Sequence, residues 1–267
     1  MEQNTTIALL GATGQTGRET LRCLLERSSI KIHIYVRSRS KLMQQFPGID
    51  KDSRVQIFEG AVTDIDNFEK CLEGAQTIIC TLGFNDNRPG ITVIQDGAKS
   101  IVAGLERLRA TASSKRKDWQ KPHVILLSSS TWNDRFAAAR PWLFHWIVVH
   151  AFWYPYADLL QAHKILEGAP TLLKLLLIQP PAIVDDDARG YDFSTESVGG
   201  TVTYKDLGAG FAEAATRKEY QELDAVGITS KNDEMSGKYG PELFKRMVVG
   251  LSGSYIPGFW TVHDYFQ

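Results

Sequence analysis

Residues 5–17 read TTIALLGATGQTG, an apolar run that leads directly into three glycines spaced three residues apart. The run is typical of a buried strand, and Leu21, Leu24 and Leu25 after the glycines have helical spacing. Glycines between a strand and a helix allow a sharp turn, close approach of a phosphate to the backbone, and tight packing of the helix on the sheet. The stretch therefore predicts a strand–turn–helix unit that binds phosphate groups.

The rest of the first half repeats the alternation of strand and helix. Short apolar runs occur at residues 31–36, 55–58, 77–81 and 123–127. Helical patterns separate them, as in the apolar residues spaced through 91–108. Such alternation implies a parallel sheet with helices on both faces. We predict an α/β fold, with residues 1 to about 135 forming a Rossmann-type doubly wound parallel sheet.

The pattern changes after Ser130. Residues 142–156 read WLFHWIVVHAFWYPY, which is shorter than the roughly 20 residues of a membrane span and is interrupted by two histidines and a proline. We expect a helix at 158–167 and a sixth strand at 172–178. A polar loop at 185–197, a helix near 206–216, a strand near 223–226 and a last helix from about residue 241 are also expected.

Composition limits the partners of the chain. With 43% hydrophobic residues, 23% charged residues and a net charge of −1, the chain has no global field that would attract nucleic acid. Cys23, Cys71 and Cys80 are odd in number and lack metal-like spacing, so we expect reduced thiols and no metal site. The N-terminus shows no signal peptide, and we expect a cytoplasmic protein without a membrane span.

The end of the second predicted strand indicates the cofactor. Sites that prefer NAD place an acidic residue there, whereas this chain has Arg37 and Arg39 and no acidic residue that would compete. We therefore expect NADP, with both arginines on its 2′-phosphate. The predicted cofactor contacts around the turn and the next two strand ends are Gly11, Thr13, Gly14, Gln15, Thr16, Gly17, Ala61, Val62, Leu82 and Gly83.

These features resemble the atypical short-chain dehydrogenases/reductases of the NAD(P)H-binding, NmrA-like kind. The similar stretches are residues 11–17, 36–40, 60–64, 82–83, 127–130, 162–166, 179–183 and 202–208. Residues 255–260 also resemble small fungal oxidoreductases of this superfamily, a group associated with secondary metabolism. Because no linker marks a domain boundary, we expect one NAD(P)-binding domain over 1–267, in which about 140–160 and 185–267 form a small C-terminal substrate-binding lobe. The resemblance implies NADP phosphates on residues 11–17 with Arg37 and Arg39. It also implies nicotinamide near Ser128, Ser129 and residues 180–183, of which Ser128, Pro181 and Ile183 are the predicted contacts.

The chain departs from the superfamily at a catalytic motif. Orthodox members carry Tyr-x-x-x-Lys, in which the tyrosine transfers a proton and the lysine holds the ribose. Aligned on Lys164, the tyrosine position is occupied by Leu160, which cannot perform acid–base chemistry. Tyr154 and Tyr156 are alternatives for the missing tyrosine.

The candidate catalytic residues follow the fifth strand and lie on the next helix. Ser129 is the first candidate for binding a substrate carbonyl, although serines at strand ends often only satisfy the backbone. His163 is a possible proton shuttle or a packed histidine. The predicted catalytic set is Ser129, Tyr156, His163 and Lys164, and the predicted substrate contacts are Ser130, Trp132 and Trp153.

Two questions remain open at the level of sequence. The aromatic stretch 142–156 could form a pocket wall or lid, a core or dimer interface, or a membrane-surface contact. The function could be NADPH-dependent reduction of a small, largely apolar carbonyl or conjugated compound by a monomer or homodimer. There are two alternatives. One is a redox-neutral isomerase, dehydratase or cyclase, and the other is a non-catalytic NADP(H) sensor.

Overall fold

A computed structural model describes residues 5–138, 140–232 and 238–265. The strands in these ranges are β1 (Thr5–Leu10), β2 (Ile30–Val36), β3 (Val55–Glu59), β4 (Thr77–Cys80), β5 (His123–Leu127), β6 (Lys174–Ile178), β7 (Ala182–Val184), β8 (Tyr191–Ser194), β9 (Thr201–Thr203) and β10 (Ala225–Ser230). The α-helices are α1 (Gln15–Leu25), α2 (Arg39–Gln45), α3 (Ile65–Leu72), α4 (Val93–Ser114), α5 (Asp134–Ala137), α6 (Trp142–Ala151), α7 (Trp153–Glu167), α8 (Tyr204–Thr216), α9 (Gly240–Tyr255) and α10 (Phe259–Tyr265).

Eight of the described strands form one sheet in the order β3-β2-β1-β4-β5-β6-β10-β8. Every neighbouring pair is parallel except β10 and β8, which are antiparallel. Strands β7 and β9 form a separate parallel pair. The strand order reverses between β1 and β4, and ligands of such sheets bind at the carboxyl ends of the strands beside this reversal. The predicted doubly wound sheet is confirmed.

The two faces of the sheet are covered by separate apolar clusters. Ile7 and Leu9 belong to the cluster that includes α1 and α8, whereas Ala8 and Leu10 belong to the cluster that includes α3, α4 and α7. Successive residues of a strand point to opposite faces, so a strand covered on both sides must be apolar throughout. This requirement explains why the first strands were readily predicted as continuous apolar runs.

Several predicted boundaries in the second half are wrong. The aromatic stretch is two helices, because α6 ends at Ala151 and α7 begins at Trp153, five residues before the predicted start. The predicted loop at 185–197 contains β8, which pairs with β10 and extends that strand to Ser230. The sixth strand begins at Lys174 rather than at residue 172, since Leu172 lies in the turn after α7.

Helices α9 and α10, here called the C-terminal helices, pack near α6 and the loop after β4. Gly250 lies against the backbone of Ala151, where a Cβ would be 2.9 Å from the carbonyl carbon. Asn87 is 1% exposed, and its Nδ2 donates to the Gly250 carbonyl (2.8 Å) and to Ser254 Oγ (2.7 Å). Its Oδ1 accepts from the Tyr154 amide at 2.9 Å. Asn87 therefore joins the loop after β4 to α7 and α9.

Helix α6 is largely exposed despite its apolar sequence. Trp142 is 78% exposed, Leu143, Phe144 and Trp146 are also exposed, and Ala151 is the buried residue of this helix. A core role for α6 is therefore wrong, and the alternatives that involve a ligand or partner remain. None of the described helices has the length and apolar character needed to cross a membrane.

Candidate active site

The glycine turn packs too closely against its own backbone and against Thr81 to accommodate side chains at Gly11 and Gly17. Gly11 has a φ of +93°, a conformation that residues with a Cβ rarely adopt. A Cβ on Gly17 would lie 2.7 Å from the carbonyl carbon of Gly11 and from Thr81 Oγ1. Helix α1 begins at Gln15 with Gly14 as its N-cap, so no capping side chain covers its first N–H groups. This arrangement fits a pyrophosphate at the helix N-terminus.

The other predicted residues of the turn and the adjoining loops lie along the same edge of the sheet. Thr13 is half-buried and Thr16 is buried. Two loops are tied to the fold, because Tyr35 OH donates to the Ala61 carbonyl (2.8 Å) and Ser100 Oγ donates to the Val62 carbonyl (2.6 Å). The loops after β3 and β4 contain Ala61, Val62, Leu82 and Gly83.

The basic segment at the end of β2 has an acidic neighbour. Arg37 and Arg39 are exposed, and Ser38 caps α2 by accepting from the Lys41 amide. Glu59, the last residue of β3, accepts a 3.0 Å hydrogen bond from the Arg39 amide. The expectation that no carboxylate lies at this position is therefore wrong. It failed because the acid comes from the neighbouring strand and not from the segment that follows β2.

Ser128 and His163 form a buried pair behind the strand ends. Ser128 Oγ and His163 Nε2 are 3.0 Å apart, and the Ser128 amide donates to the Ile178 carbonyl at 2.7 Å. Burial lowers the pKa of His163 to about 4, so the ring is neutral at pH 7. A neutral imidazole with this hydrogen bond is better suited to holding Ser128 than to donating a proton.

Tyr156 lies beside Ser129, at the carboxyl end of β5. The Tyr156 hydroxyl is 3.3 Å from Ser129 Oγ and 3.1 Å from Thr131 Oγ1. The Thr131 amide donates to Ser129 Oγ at 3.3 Å, and the Trp132 ring meets the Tyr156 ring edge-on with centroids 5.5 Å apart. A serine and a tyrosine hydroxyl thus converge where ligands of open α/β sheets bind.

An arginine extends this group of hydroxyls. Arg140 Nη1 donates to Thr131 Oγ1 at 3.2 Å, and Arg140 Nη2 donates to Ser130 Oγ at 3.4 Å. Ser130 is 1% exposed, and its amide donates to the Pro180 carbonyl at 3.0 Å. Ser130, predicted as a substrate contact, is thus held by Arg140 and by the segment after β6.

Helix α7 is fixed so that His163 faces the interior. Asp158 accepts from the backbone amides of Ile94 (2.8 Å) and Gln95 (2.9 Å), which caps the N-terminus of α4. Burial raises the pKa of Asp158, and these two hydrogen bonds oppose that shift. Lys164 is exposed, whereas His163 belongs to the buried face of α7. The contact of Lys164 with a ribose remains a prediction that the position of its side chain does not support.

The remaining predicted residues lie around the edge of the site. Pro181 and Ile183 are half-buried after β6, and the Ile183 carbonyl accepts from Arg246 Nη1 at 2.9 Å. Trp153 is 50% exposed, and its ring is 5.8 Å from that of His150. Trp153 therefore belongs to the aromatic surface of α6 and the start of α7 rather than to the hydroxyl group around Ser129.

Potential metal ligands and thiols are also present in the described part of the chain. Among those residues, no group of three histidines, cysteines or carboxylates is arranged to hold a metal ion. Cys71 and Cys80 are buried free thiols, and burial raises the pKa of Cys80 to about 12. A thiol with such a pKa stays protonated and is a poor nucleophile at neutral pH.

Sequence reasoning missed three residues near the site. Thr131 directly follows the serine triplet, so the polar run 128–131 was a usable signal. Arg140 and Glu59 carried no signal, because each reaches the site from an element whose position depends on the tertiary fold.

Comparison with known proteins shows which family the chain belongs to. The chain matches the NAD(P)H-binding family over residues 11–218. It is 36% identical to the oxidoreductase AgnL4 of Paecilomyces divaricatus over 252 residues, which cover 94% of this chain and 95% of that protein. It is 32% identical to the oxidoreductase aflX of Aspergillus parasiticus over 261 residues, with coverages of 97% and 94%.

Solved structures show the same fold at low sequence identity. A short-chain dehydrogenase/reductase from Veillonella parvula, in complex with NADP, has a TM-score of 0.64 at 18% identity and covers 85% of this chain and 95% of its own. The oxidoreductase ylbE from Lactococcus lactis has a TM-score of 0.57 at 19% identity, with coverages of 90% and 97%. The chain belongs to the NAD(P)H-binding family. It is an oxidoreductase with an NAD(P)H-binding domain.

Proposed function

We propose that the protein is an NADPH-dependent reductase of a small, largely apolar carbonyl or conjugated compound. The observation that carries this proposal is the Ser129–Tyr156 pair at the carboxyl end of β5, with 3.3 Å between the two hydroxyl oxygens. The alignment on Lys164 placed Leu160 at the tyrosine position of the motif, which left carbonyl reduction without a general acid. Tyr156 can supply that acid. With Tyr156 as the acid, Leu160 occupies the position of the motif's lysine.

The residues of the turn support a dinucleotide. Gly11 and Gly17 let the turn and α1 pack tightly against each other and against Thr81, and no side chain caps the α1 N-terminus, which suits a pyrophosphate there. Arg37 and Arg39 are exposed at the end of β2 and would hold a 2′-phosphate. The Glu59 carboxylate beside the Arg39 amide would instead favour an unphosphorylated ribose. The two cationic side chains outnumber the one acidic side chain, so we assign NADP.

The residues of the chain have distinct roles in this reaction. NADPH, when bound, supplies a hydride. Ser129 Oγ orients the substrate oxygen, and the Tyr156 hydroxyl gives its proton to that oxygen as negative charge develops. Ser128, which His163 holds, and the segment with Pro181 and Ile183 form the nicotinamide side of the site.

The aromatic surface supports an apolar substrate. Trp132 packs against Tyr156, and α6 begins two residues after Arg140 with exposed Trp142. Such side chains form the wall or lid of a pocket for an aromatic compound. The same exposed surface leaves both a monomer and a homodimer compatible with the proposal.

The test is oxidation of NADPH by the purified protein with flavins, quinones, enones and aromatic aldehydes, followed by mass spectrometry of each mixture. We expect NADPH loss matched by a reduced product, and a 10²- to 10⁴-fold lower kcat for Tyr156→Phe. Ser129→Ala should also lower kcat. Tyr154→Phe is the matched control, because Tyr154 lines a different cavity, of about 460 Å³, together with Arg88 and Trp260. The described residues that line that cavity include neither Ser129 nor Tyr156.

The same mixtures distinguish the alternatives. A product isomeric with its substrate, without NADPH loss, would replace reduction by redox-neutral catalysis. NADPH binding with no product from the panel would indicate a sensor. Full turnover by Tyr156→Phe would remove the proposed acid.

A further inference from the structure

The hydroxyl of Tyr156 is the end of a short hydrogen-bonded chain that starts at Arg140. Arg140 Nη1 lies 3.2 Å from Thr131 Oγ1, which lies 3.1 Å from the Tyr156 oxygen. Thr131 is 5% exposed and Arg140 is half-buried. Water therefore has limited access to the middle of the chain, so the protein groups determine where each proton points.

The chemistry of the guanidinium fixes the direction of these hydrogen bonds. Arginine has only donors, so Thr131 Oγ1 must accept from Arg140. The hydrogen of the Thr131 hydroxyl is then available for the Tyr156 oxygen. Ser129 Oγ already accepts from the Thr131 amide at 3.3 Å. The Tyr156 hydrogen is consequently directed outward, to Ser129 Oγ or to a substrate oxygen that occupies the same region.

We propose that Arg140, acting through Thr131, is a positioning residue that presents the Tyr156 hydroxyl as a proton donor. This inference rests on the proposed reductase function. Arg140 would supply the positive charge for Tyr156, because Leu160, one turn further along α7, is apolar and cannot supply it. The loop before α6 thus supplies the charge that the family motif places on the helix itself.

Reduction of a carbonyl substrate requires one hydride and one proton, and each has a defined source. A C–H bond forms on the substrate carbon with the hydride that NADPH supplies, and the C=O π electrons move to oxygen. The O–H bond of Tyr156 breaks as its proton goes to that oxygen, which yields an alcohol. The remaining phenolate accepts a hydrogen bond from Thr131, polarised by Arg140, until solvent returns a proton. NADPH is oxidised to NADP⁺ and the carbonyl is reduced.

Steady-state kinetics of four variants test this role. We expect Arg140→Gln and Thr131→Val to lower kcat about 10- to 100-fold, a part of what general acid catalysis supplies, with KM changed less than threefold. Arg140→Lys and Thr131→Ser restore a cation and a hydroxyl and should recover most of kcat. Arg135→Gln is the matched control, because that exposed arginine pairs with Glu196. A wild-type kcat in both Arg140→Gln and Thr131→Val would overturn the proposal.

A second readout is independent of turnover. In protein labelled with 3-fluorotyrosine, the ¹⁹F resonance of Tyr156 is the one lost in Tyr156→Phe. We expect it to shift in Arg140→Gln and Thr131→Val, and to return in Arg140→Lys and Thr131→Ser. If the wild type reduces no substrate, the proposed function fails, and this resonance still decides whether Arg140 orders Tyr156. An unchanged resonance in both first variants refutes the hydrogen-bonded chain.

Discussion

Replacement of His163 by glutamine should remove a defined part of the acid sensitivity of the fold. Burial lowers the pKa of His163 from its ordinary value of 6.5 to about 4. The unfolded chain therefore binds a proton below pH 6.5 that the folded chain binds only near pH 4. Stability contributed by the neutral ring is fully present above pH 6.5 and is lost as the pH falls towards 4.

The size of the effect follows from the shift. One pKa unit corresponds to 1.36 kcal/mol, so His163 accounts for about 3 kcal/mol between pH 6.5 and pH 4. His123 adds about as much, since burial and then the Lys174 charge lower its pKa to about 4. A domain with 5–15 kcal/mol of stability would lose a large part of it over this interval.

Urea unfolding, followed by tryptophan fluorescence at several pH values from 7.5 to 4.5, measures the difference between wild type and His163→Gln. Glutamine keeps a hydrogen-bonding group for Ser128 Oγ but cannot gain a proton. We expect the two free energies of unfolding to converge as the pH falls, by about 2–3 kcal/mol relative to pH 7.5.

The second buried histidine provides a comparison. Neither ring nitrogen of His123 has a hydrogen-bond partner among the described residues. His123→Leu should therefore remove a similar pH dependence without the loss of a hydrogen bond. Parallel pH profiles for wild type and His163→Gln would refute the argument, because they would mean that His163 binds its proton equally in both states.

The remaining predictions concern the cofactor. Gly17→Ala should destabilise the protein by about 1–3 kcal/mol and abolish NADPH binding, because its Cβ would lie 2.7 Å from the Gly11 carbonyl carbon. Thermal unfolding and NADPH fluorescence measure the two effects. Gly240→Ala is the matched control, because no atom of the described residues beyond its own helix backbone and chain neighbours lies within 4 Å of the position its Cβ would take, and its φ is not positive. Arg37→Ala with Arg39→Ala should weaken NADP at least a hundredfold more than NAD, at about 1.5–3 kcal/mol per charge-assisted hydrogen bond. Equal losses for the two cofactors in titration calorimetry would remove the 2′-phosphate assignment.

The parts of the fold that sequence predicted are those specified by local pattern. Strands β1, β4 and β5 were predicted because burial on both faces forces an apolar run, and the glycine turn was predicted because residues with a Cβ rarely adopt the φ of Gly11. Strand β8 was missed because YDFS in a polar loop becomes a strand through antiparallel pairing with β10. Its conformation depends on a partner more than 30 residues away in the chain.

In the candidate site too, residues marked by a local sequence pattern were predicted better than those that the tertiary fold places. Ser128 and Ser129 were found because they directly follow β5. The tyrosine was placed less well, because the motif was aligned on Lys164, whereas the structure brings Tyr156 to Ser129 and leaves Lys164 exposed. The break between α6 and α7 lies at Phe152, and Pro155 in the first turn of α7 was the signal in the sequence that a helix begins there.

The buried side chain of Asn87 makes several of the contacts that connect the C-terminal helices to the loop after β4. The family match ends at residue 218, whereas the relatives align over 94–97% of the chain. Asn87 lies four residues after Gly83 and binds both α9 and the start of α7, two residues before Tyr156. A shift of the C-terminal helices would therefore be transmitted to the loop beside the predicted ribose site and to the proposed acid. Asn87 thus connects the C-terminal part of the chain with the loop after β4 and with the helix that carries Tyr156.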